Sequence, residues 1–368
     1  MKILIATGLY TPDIGGPATY TRFLERVLPA RGFSLTVVSF GEVRHLPKII
    51  RHLAYLWKLL RAGWEVDVIY ALDTVSVGLP ATIASIILRT PLYVRVPGDY
   101  AWEQGQQRFG VTSTLDEFQH ECTRHSKEVR ALVFIQAWVV HHATRVVVPS
   151  EYMRSLVMGW EIASEKIIRV YSALSPIILS ETRESLRQKY NYTGVVVTTA
   201  ARLVPWKGIV GLCEAVLAQR GQGMNVSLEI IGDGVLRDAL EVFIKKHNAY
   251  TYITLRGSVG KQELWERVKA SDVFVLNTAY EGLSHQLLEV MNIGTPIITT
   301  PVGGNVELIT HGKEGLLVAH NDVQAIGEAI TRLTNDTLLC EHITRAARTK
   351  VGQFREVVIA EEVVRLFS

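Results

Sequence analysis

The chain has 368 residues, 48% hydrophobic and 20% charged, with 28 Gly and 12 Pro, which excludes a disordered tail, a collagen-like repeat and a coiled coil. One hydrophobic core stops growing near roughly 250–300 residues, so this length predicts two domains and a cleft between them. A net charge of +3, from 39 Lys and Arg against 36 Asp and Glu, is too small for a protein that coats nucleic acid, and no nucleic-acid partner is expected.

The chain opens on an apolar run, 3–6, that Gly8, Pro12 and Asp13 interrupt too soon for a signal-peptide core, so it reads as a first strand. Strand-like runs follow at 35–40, 66–72, 92–96, 145–148 and 167–171, separated by amphipathic segments such as 17–30 and 76–88. Residues 172–192 lack strand character and contain Pro176 and mixed charge, which places a domain boundary there. A second set then begins: strands at 195–199, 227–231, 253–255, 273–276 and 296–299, with helices at 236–247, 262–270, 285–293 and 323–333. Alternation of this kind means parallel sheets with helices on both faces. The expected domains are 1–175 and 176–350. The longest apolar stretch, 131–140, contains Gln136 and is about half of what a spanning helix needs. Cys122, Cys213 and Cys340 are odd in number and widely spaced, which suits a reducing cytoplasm better than a disulfide framework.

In doubly wound sheets ligands sit beyond the carboxyl ends of the strands, so the loops there are the places to search. The first carries Gly8, Gly15, Gly16 and Pro17, where paired glycines allow close backbone approach and Pro17 suits the start of a helix; an ordinary glycine turn would look the same. It is neither a Gly-x-Gly-x-x-Gly fingerprint nor a Walker loop. After 195–199 comes Arg202-Leu203-Val204-Pro205-Trp206-Lys207-Gly208, whose two cations can converge on one diphosphate or serve as ordinary surface charges. After 273–276, Glu281 and Glu289 are eight positions apart. A helix starting at Gly282, Leu283 or Ser284 would put Glu281 at its mouth and Glu289 about two turns in, roughly 80° from eclipsed. The helix N-terminus is an anion site; alternatively Glu281 caps the helix and Glu289 is a surface residue.

Together these residues make the chain resemble the retaining nucleotide-sugar glycosyltransferases of glycosyltransferase family 4. Val148-Pro149-Ser150-Glu151, Gly232-Asp233-Gly234 and Pro301-Val302-Gly303-Gly304-Asn305-Val306-Glu307 extend the resemblance over nearly the whole length. It implies the GT-B fold, two Rossmann-like doubly wound parallel-sheet α/β domains facing a central cleft. Arg202 and Lys207 would neutralise the donor diphosphate, Glu281 would bind donor-sugar hydroxyls, and Glu289 the ribose. The amides of Gly282, Leu283 and Ser284 would meet sugar and phosphate oxygens, Gly15 and Gly16 would close over the phosphates, and Gly234 would support the base pocket. Residues 351–368 resemble the last helix of such proteins, which packs back on the N-terminal domain; an ordinary amphipathic end helix is the alternative. Many family members carry a His after the fourth strand, where this chain has Asp99, able to accept from a sugar hydroxyl, to carry an acceptor proton, or simply to cap a turn. The implied reaction is front-face substitution with retention, the departing diphosphate taking the acceptor proton, with the nucleotide sugar as co-substrate and neither cofactor nor metal expected. A GT-B-type sugar-nucleotide epimerase and a catalytically silent nucleotide- or glycan-binding subunit are the competing readings.

Residues 44–64 hold five basic side chains and no acid. At helical spacing Arg44, Lys48, Arg51, Tyr55 and Lys58 share one face, with Arg61 beyond, while Ile49, Ile50, Leu53, Trp57 and Leu60 populate the other. Such a helix can lie on an anionic membrane where a lipid-linked acceptor resides, which predicts a cytoplasmic, peripheral location; a helix packed on the sheet with a solvated basic face is the alternative.

Overall fold

The computed structural model describes residues 1–11, 15–121 and 124–368, apart from the side chains of Lys48 and Ile49. Pro12, Asp13, Cys122 and the Lys48 side chain, all named above, lie outside the described residues. The chain divides into two compact units, Met1–Ser175 with Phe354–Ser368, and Pro176–Gln353. Residues 351–353 count with the second unit, so the returning segment starts at Phe354 rather than at 351.

The first unit runs β1 (Lys2–Thr7), α1 (Gly16–Val27), β2 (Ser34–Ser39), α2 (Lys48–Ala62), β3 (Val68–Ala71), α3 (Gly78–Leu88), β4 (Leu92–Arg95), α4 (Tyr100–Arg108), α5 (Leu115–His120), α6 (Lys127–His142), β5 (Arg145–Val148), α7 (Glu151–Met158) and β6 (Ile167–Arg169). Its six strands are all parallel in the order β2-β1-β3-β4-β5-β6, so the winding reverses between β1 and β3. Ile3, Leu4, Ile5 and Ala6 are each fully buried, as expected of a parallel strand covered on both faces. The terminal helix Glu356–Phe367 completes this core: Ile359, Val363, Leu366 and Phe367 pack with Tyr20, Tyr70 and Tyr93. Phe367 stacks on Tyr93 at 5.7 Å between ring centroids, and Arg145 Nη1 donates to the Leu366 carbonyl at 3.1 Å.

Helix α2 corrects the face assignment made from the helical wheel. Tyr55, placed on the basic face, is fully buried with its hydroxyl donating to the Val38 carbonyl at 2.9 Å, and Leu59 is buried beside it. The apolar stripe faces solvent: Ile50, Leu53 and Trp57 are 53%, 62% and 59% exposed. Lys58 pairs with Glu42 at 2.6 Å, and the Arg61 guanidinium lies over the Trp57 ring.

The second unit runs α8 (Arg183–Lys189), β7 (Val195–Ala200), α9 (Ile209–Gly221), β8 (Val226–Ile231), α10 (Arg237–Lys246), β9 (Ile253–Gly257), α11 (Lys261–Ala270), β10 (Val273–Leu276), α12 (His285–Ile293), β11 (Ile297–Thr299), α13 (Asn305–Leu308), β12 (Leu316–Leu317), α14 (Val323–Asn335) and α15 (Thr337–Lys350). The parallel order is β12-β11-β10-β7-β8-β9, and the winding reverses between β7 and β10. Val197, Leu228, Val275 and Ile298 form one core with α9 and α14, which pack side by side on that face of the sheet. Among the described residues no helix is long and apolar enough to cross a membrane.

Candidate functional site

The reversal between β7 and β10 is where a doubly wound sheet opens a crevice, because the loops on either side leave in opposite directions. The loops after these two strands carry Arg202, Lys207 and Glu281. After β7 the chain passes Arg202, makes a tight turn over Pro205–Lys207 and reaches Gly208 at φ +53° before α9 begins. Only glycine fits there: a Cβ would stand 2.4 Å from Asn277 Nδ2 and 2.5 Å from the Asn277 carbonyl. Asn277, the first residue after β10, donates to the Gly208 carbonyl at 2.8 Å and to Asn321 Oδ1 at 2.9 Å. The Ala279 N–H donates to the Trp206 carbonyl at 2.7 Å. Two loops distant in sequence are thereby clasped, and the clasp brings Lys207 Nζ into an ion pair with Glu281 Oε1.

The loop after β11 backs this arrangement. The Gly304 N–H donates to the Glu281 carbonyl at 2.9 Å. Cβ atoms on Gly303 and Gly304 would fall 2.0 Å from the Glu281 carbonyl and 2.3 Å from that of Gly282. Gly282, Leu283 and Ser284 are buried, and the Ser284 hydroxyl caps α12 by accepting from the Leu287 N–H at 3.3 Å. The first turn of α12 holds no acid, so nothing on the helix itself offsets the positive end of its dipole. Arg202 is exposed, its guanidinium 5.9 Å from the Trp206 ring centroid.

Glu289 lies one turn into α12 with both carboxylate oxygens engaged from α11: Lys261 Nζ reaches Oε1 at 2.9 Å and Trp265 Nε1 donates to Oε2 at 3.0 Å. These two residues were missed in the sequence, although a lysine opening a helix, against the dipole, was a signal. Gly234 belongs to the turn after β8; a Cβ on it would stand 2.5 Å from the Leu203 carbonyl, and the Leu203 N–H donates to the Asp233 carbonyl at 3.0 Å. The turn therefore braces the Arg202 loop.

The remaining expected residues lie in the first unit. Gly15 precedes α1, and Gly16, its first residue, would present a Cβ to open space. Asp99 is 1% exposed and caps α4 by accepting from the Trp102 N–H at 2.9 Å. Gln119 Nε2 donates to its other oxygen at 2.7 Å and Gln136 Nε2 to the first at 3.2 Å. Burial pushes its carboxyl above the usual range, against the pull of these donors. Asp99 meets the wall of a cavity of about 290 Å³, yet its oxygens are taken by N–H groups. Asp99 thus caps α4, one of the three roles expected of it.

Comparison with known proteins gives the family and the fold. The profile of the family described as "Glycosyl transferases group 1" matches residues 182–350, and that of "Glycosyl transferase 4-like domain" matches residues 16–172. The putative colanic acid biosynthesis glycosyltransferase WcaL of Salmonella typhimurium is 30% identical over 180 residues, 46% of this chain and 44% of that relative, so the match spans less than half of WcaL. Glycogen synthase of Mycobacterium tuberculosis is 25% identical over 95% of this chain and 90% of its own. Among solved structures, Anabaena HepE in complex with UDP and glucose superposes with a TM-score of 0.79 at 18% identity, covering 100% of this chain and 99% of HepE. That likeness establishes the fold, GT-B.

Proposed function

Because the chain belongs to the family-4-type glycosyltransferases, we propose that it moves a sugar, with retention, from a UDP- or GDP-sugar to a hydroxyl of a glycan or lipid-linked acceptor without a metal. The observation that carries this reading is the Lys207–Glu281 pair at the reversal of the second sheet. Alone, each is a charge with little solvent, 11% and 17% exposed; together they offer a cation for a phosphate beside a carboxylate for sugar hydroxyls. HepE crystallised with UDP and glucose, a diphosphate and a hexose, which supports the same division of labour here.

In the proposed reaction the acceptor oxygen bonds to the anomeric carbon on the face from which the diphosphate departs. The carbon–oxygen bond to the diphosphate breaks, its electrons stay on the phosphate oxygen, and that oxygen takes the acceptor proton. Lys207, Arg202 and the positive end of α12 stabilise charge on the leaving group, the largest contribution expected of such a site. Glu281 orients the sugar and Glu289 the ribose.

The acceptor side is proposed to meet an anionic lipid surface through α2. Its solvent face carries Ile50, Leu53 and Trp57, with Trp64 just beyond at 80% exposure and Arg61 against Trp57, the composition of a helix that lies in the interface. Ile86 and Ile87 on the neighbouring α3 are exposed as well.

Thermal unfolding against a panel of nucleoside diphosphate sugars, with and without EDTA, tests the donor reading. A ligand at 100 times its dissociation constant adds about 2.7 kcal/mol. Stabilisation by one UDP- or GDP-sugar that survives EDTA is the expected result, and a panel without effect overturns the reading.

A further inference from the structure

Lys261 and Trp265 occupy the first and fifth positions of α11, one turn apart on the same face, and both reach Glu289 on α12. Each takes a different carboxylate oxygen. Lys261 Nζ also lies 5.7 Å from the centre of the Trp265 ring, so the three groups form one cluster. The Glu289 side chain is 12% exposed against 40% for that of Lys261, so the acid is mostly covered but still reached by solvent. A carboxylate offers about four lone-pair directions. Two are filled here from one side, which leaves one on each oxygen for donors arriving from the other.

A pair of adjacent hydroxyls is the ligand with that donor pattern. We infer that Lys261 and Trp265 are positioning residues that hold Glu289 with one acceptor site open on each oxygen, and so make it selective for the 2′,3′-diol of a ribonucleotide over a 2′-deoxyribonucleotide. This rests on the nucleotide-sugar reading above. Lysine at a helix N-terminus opposes the dipole, and the cost is offset because Lys261 neutralises a nearly buried acid. The tryptophan N–H fixes the carboxylate plane, which a lysine alone, as a freely rotating point charge, does not.

The test compares binding of UDP with 2′-deoxy-UDP, and of GDP with 2′-deoxy-GDP, by titration calorimetry on the full chain. A hydrogen bond to a charged group is worth roughly a factor of ten or more, so wild type is expected to prefer the ribonucleotide by about that ratio. Trp265→Phe keeps the ring and loses the donor; Lys261→Gln removes the charge. Both are expected to bring the ratio to within about threefold, a change that general loosening of the fold, which weakens both ligands equally, does not produce. An unchanged ratio in a folded Trp265→Phe protein, or a wild type without ribose preference, overturns the inference and leaves the nucleotide reading intact. If neither UDP nor GDP binds wild type, the nucleotide reading itself fails.

Discussion

Lys207 and Glu281, 74 residues apart in sequence, neutralise each other across the boundary between β7 and β10. In the proposed reaction a donor diphosphate would compete with Glu281 for the same ammonium, so the two residues are expected to respond oppositely to substitution. Lys207→Gln is expected to weaken nucleoside diphosphate binding by at least about tenfold, the loss of a charge-assisted contact. Glu281→Gln frees the lysine and is expected to bind the nucleotide at least as well as wild type while transfer activity falls about 100-fold or more, because in the proposed reaction the carboxylate would meet the sugar and not the phosphate. Calorimetry with UDP or GDP beside a transfer assay measures both; equal weakening of nucleotide binding in the two variants would falsify the division of roles.

Gly303 and Gly312 both have left-handed backbone, at φ +53° and +75°, but different surroundings. A Cβ on Gly303 would stand 2.0 Å from the Glu281 carbonyl, whereas one on Gly312 would meet nothing within 4 Å. Alanine at Gly312 is expected to cost only the left-handed penalty, about 1–2 kcal/mol. At Gly303 it must also displace the Glu281 loop, so a loss above about 3 kcal/mol together with weakened donor binding is expected. Urea unfolding of the two variants compares them directly, and similar costs would show that the loop after β11 does not hold Glu281.

Much of this architecture is readable in the sequence because it is local. The eleven apolar runs each became a strand, and the Glu281/Glu289 spacing marked α12. Strand β12 has two residues, too few to show a period, and α8 and α15 lie in mixed-charge stretches where only the caps Thr182 and Asp336 signal a start. The Asn277–Asn321 clasp and the hold of Lys261 and Trp265 on Glu289 join residues 44, 28 and 24 positions apart, and no local pattern encodes such pairing. For α2 the wheel puts Arg44, which lies before the helix, and Tyr55 on one basic face; the Tyr55 hydroxyl, satisfied by Val38, turns that side inward and leaves Ile50, Leu53 and Trp57 to solvent.

Glu266 is buried and accepts from Lys189 Nζ at 2.8 Å and the Tyr190 hydroxyl at 2.6 Å, contacts that hold its carboxyl at about 2. In the unfolded chain the same group titrates near its ordinary value of 4.5. A carboxyl lowered on folding stabilises the protein above the unfolded value and loses that contribution as pH falls toward the folded one. Stability is therefore expected to decline between pH 4.5 and 2, by on the order of 1–2 kcal/mol from this group once the exposure of Lys189 is allowed for. Glu266→Gln flattens that slope, so the two proteins converge as pH approaches 2 in urea titrations; parallel curves would remove Glu266 as the cause.

Phe367 is 5% exposed and stacked on Tyr93, while Arg31 and Glu361, which also tie the terminal helix to the first unit, are 40% and 51% exposed. Apolar burial outweighs an exposed ion pair. Phe367→Ala is expected to cost about 3–5 kcal/mol, and Arg31→Ala about 1 kcal/mol or less. Denaturant unfolding of each variant gives the ranking, and the reverse order would mean that charge holds the helix.

The exposed stripe of α2 makes the membrane proposal testable residue by residue. Insertion of Leu53 and Trp57 into the interface buries apolar area worth roughly 1.5–3 kcal/mol per side chain, while each nearby basic residue adds about 1 kcal/mol on anionic lipid. Leu53→Ser with Trp57→Ser is therefore expected to weaken association with phosphatidylserine-containing vesicles by 100-fold or more, and Arg61→Glu by about tenfold or more at low salt, with little further loss at high salt. Neither substitution touches the buried face, where Tyr55 and Leu59 anchor the helix, so thermal unfolding is expected to change by less than about 0.5 kcal/mol. Vesicle flotation reads the binding. Wild-type protein that stays with the unbound fraction on anionic vesicles, or a serine variant that floats as well as wild type, would show that this face does not meet lipid.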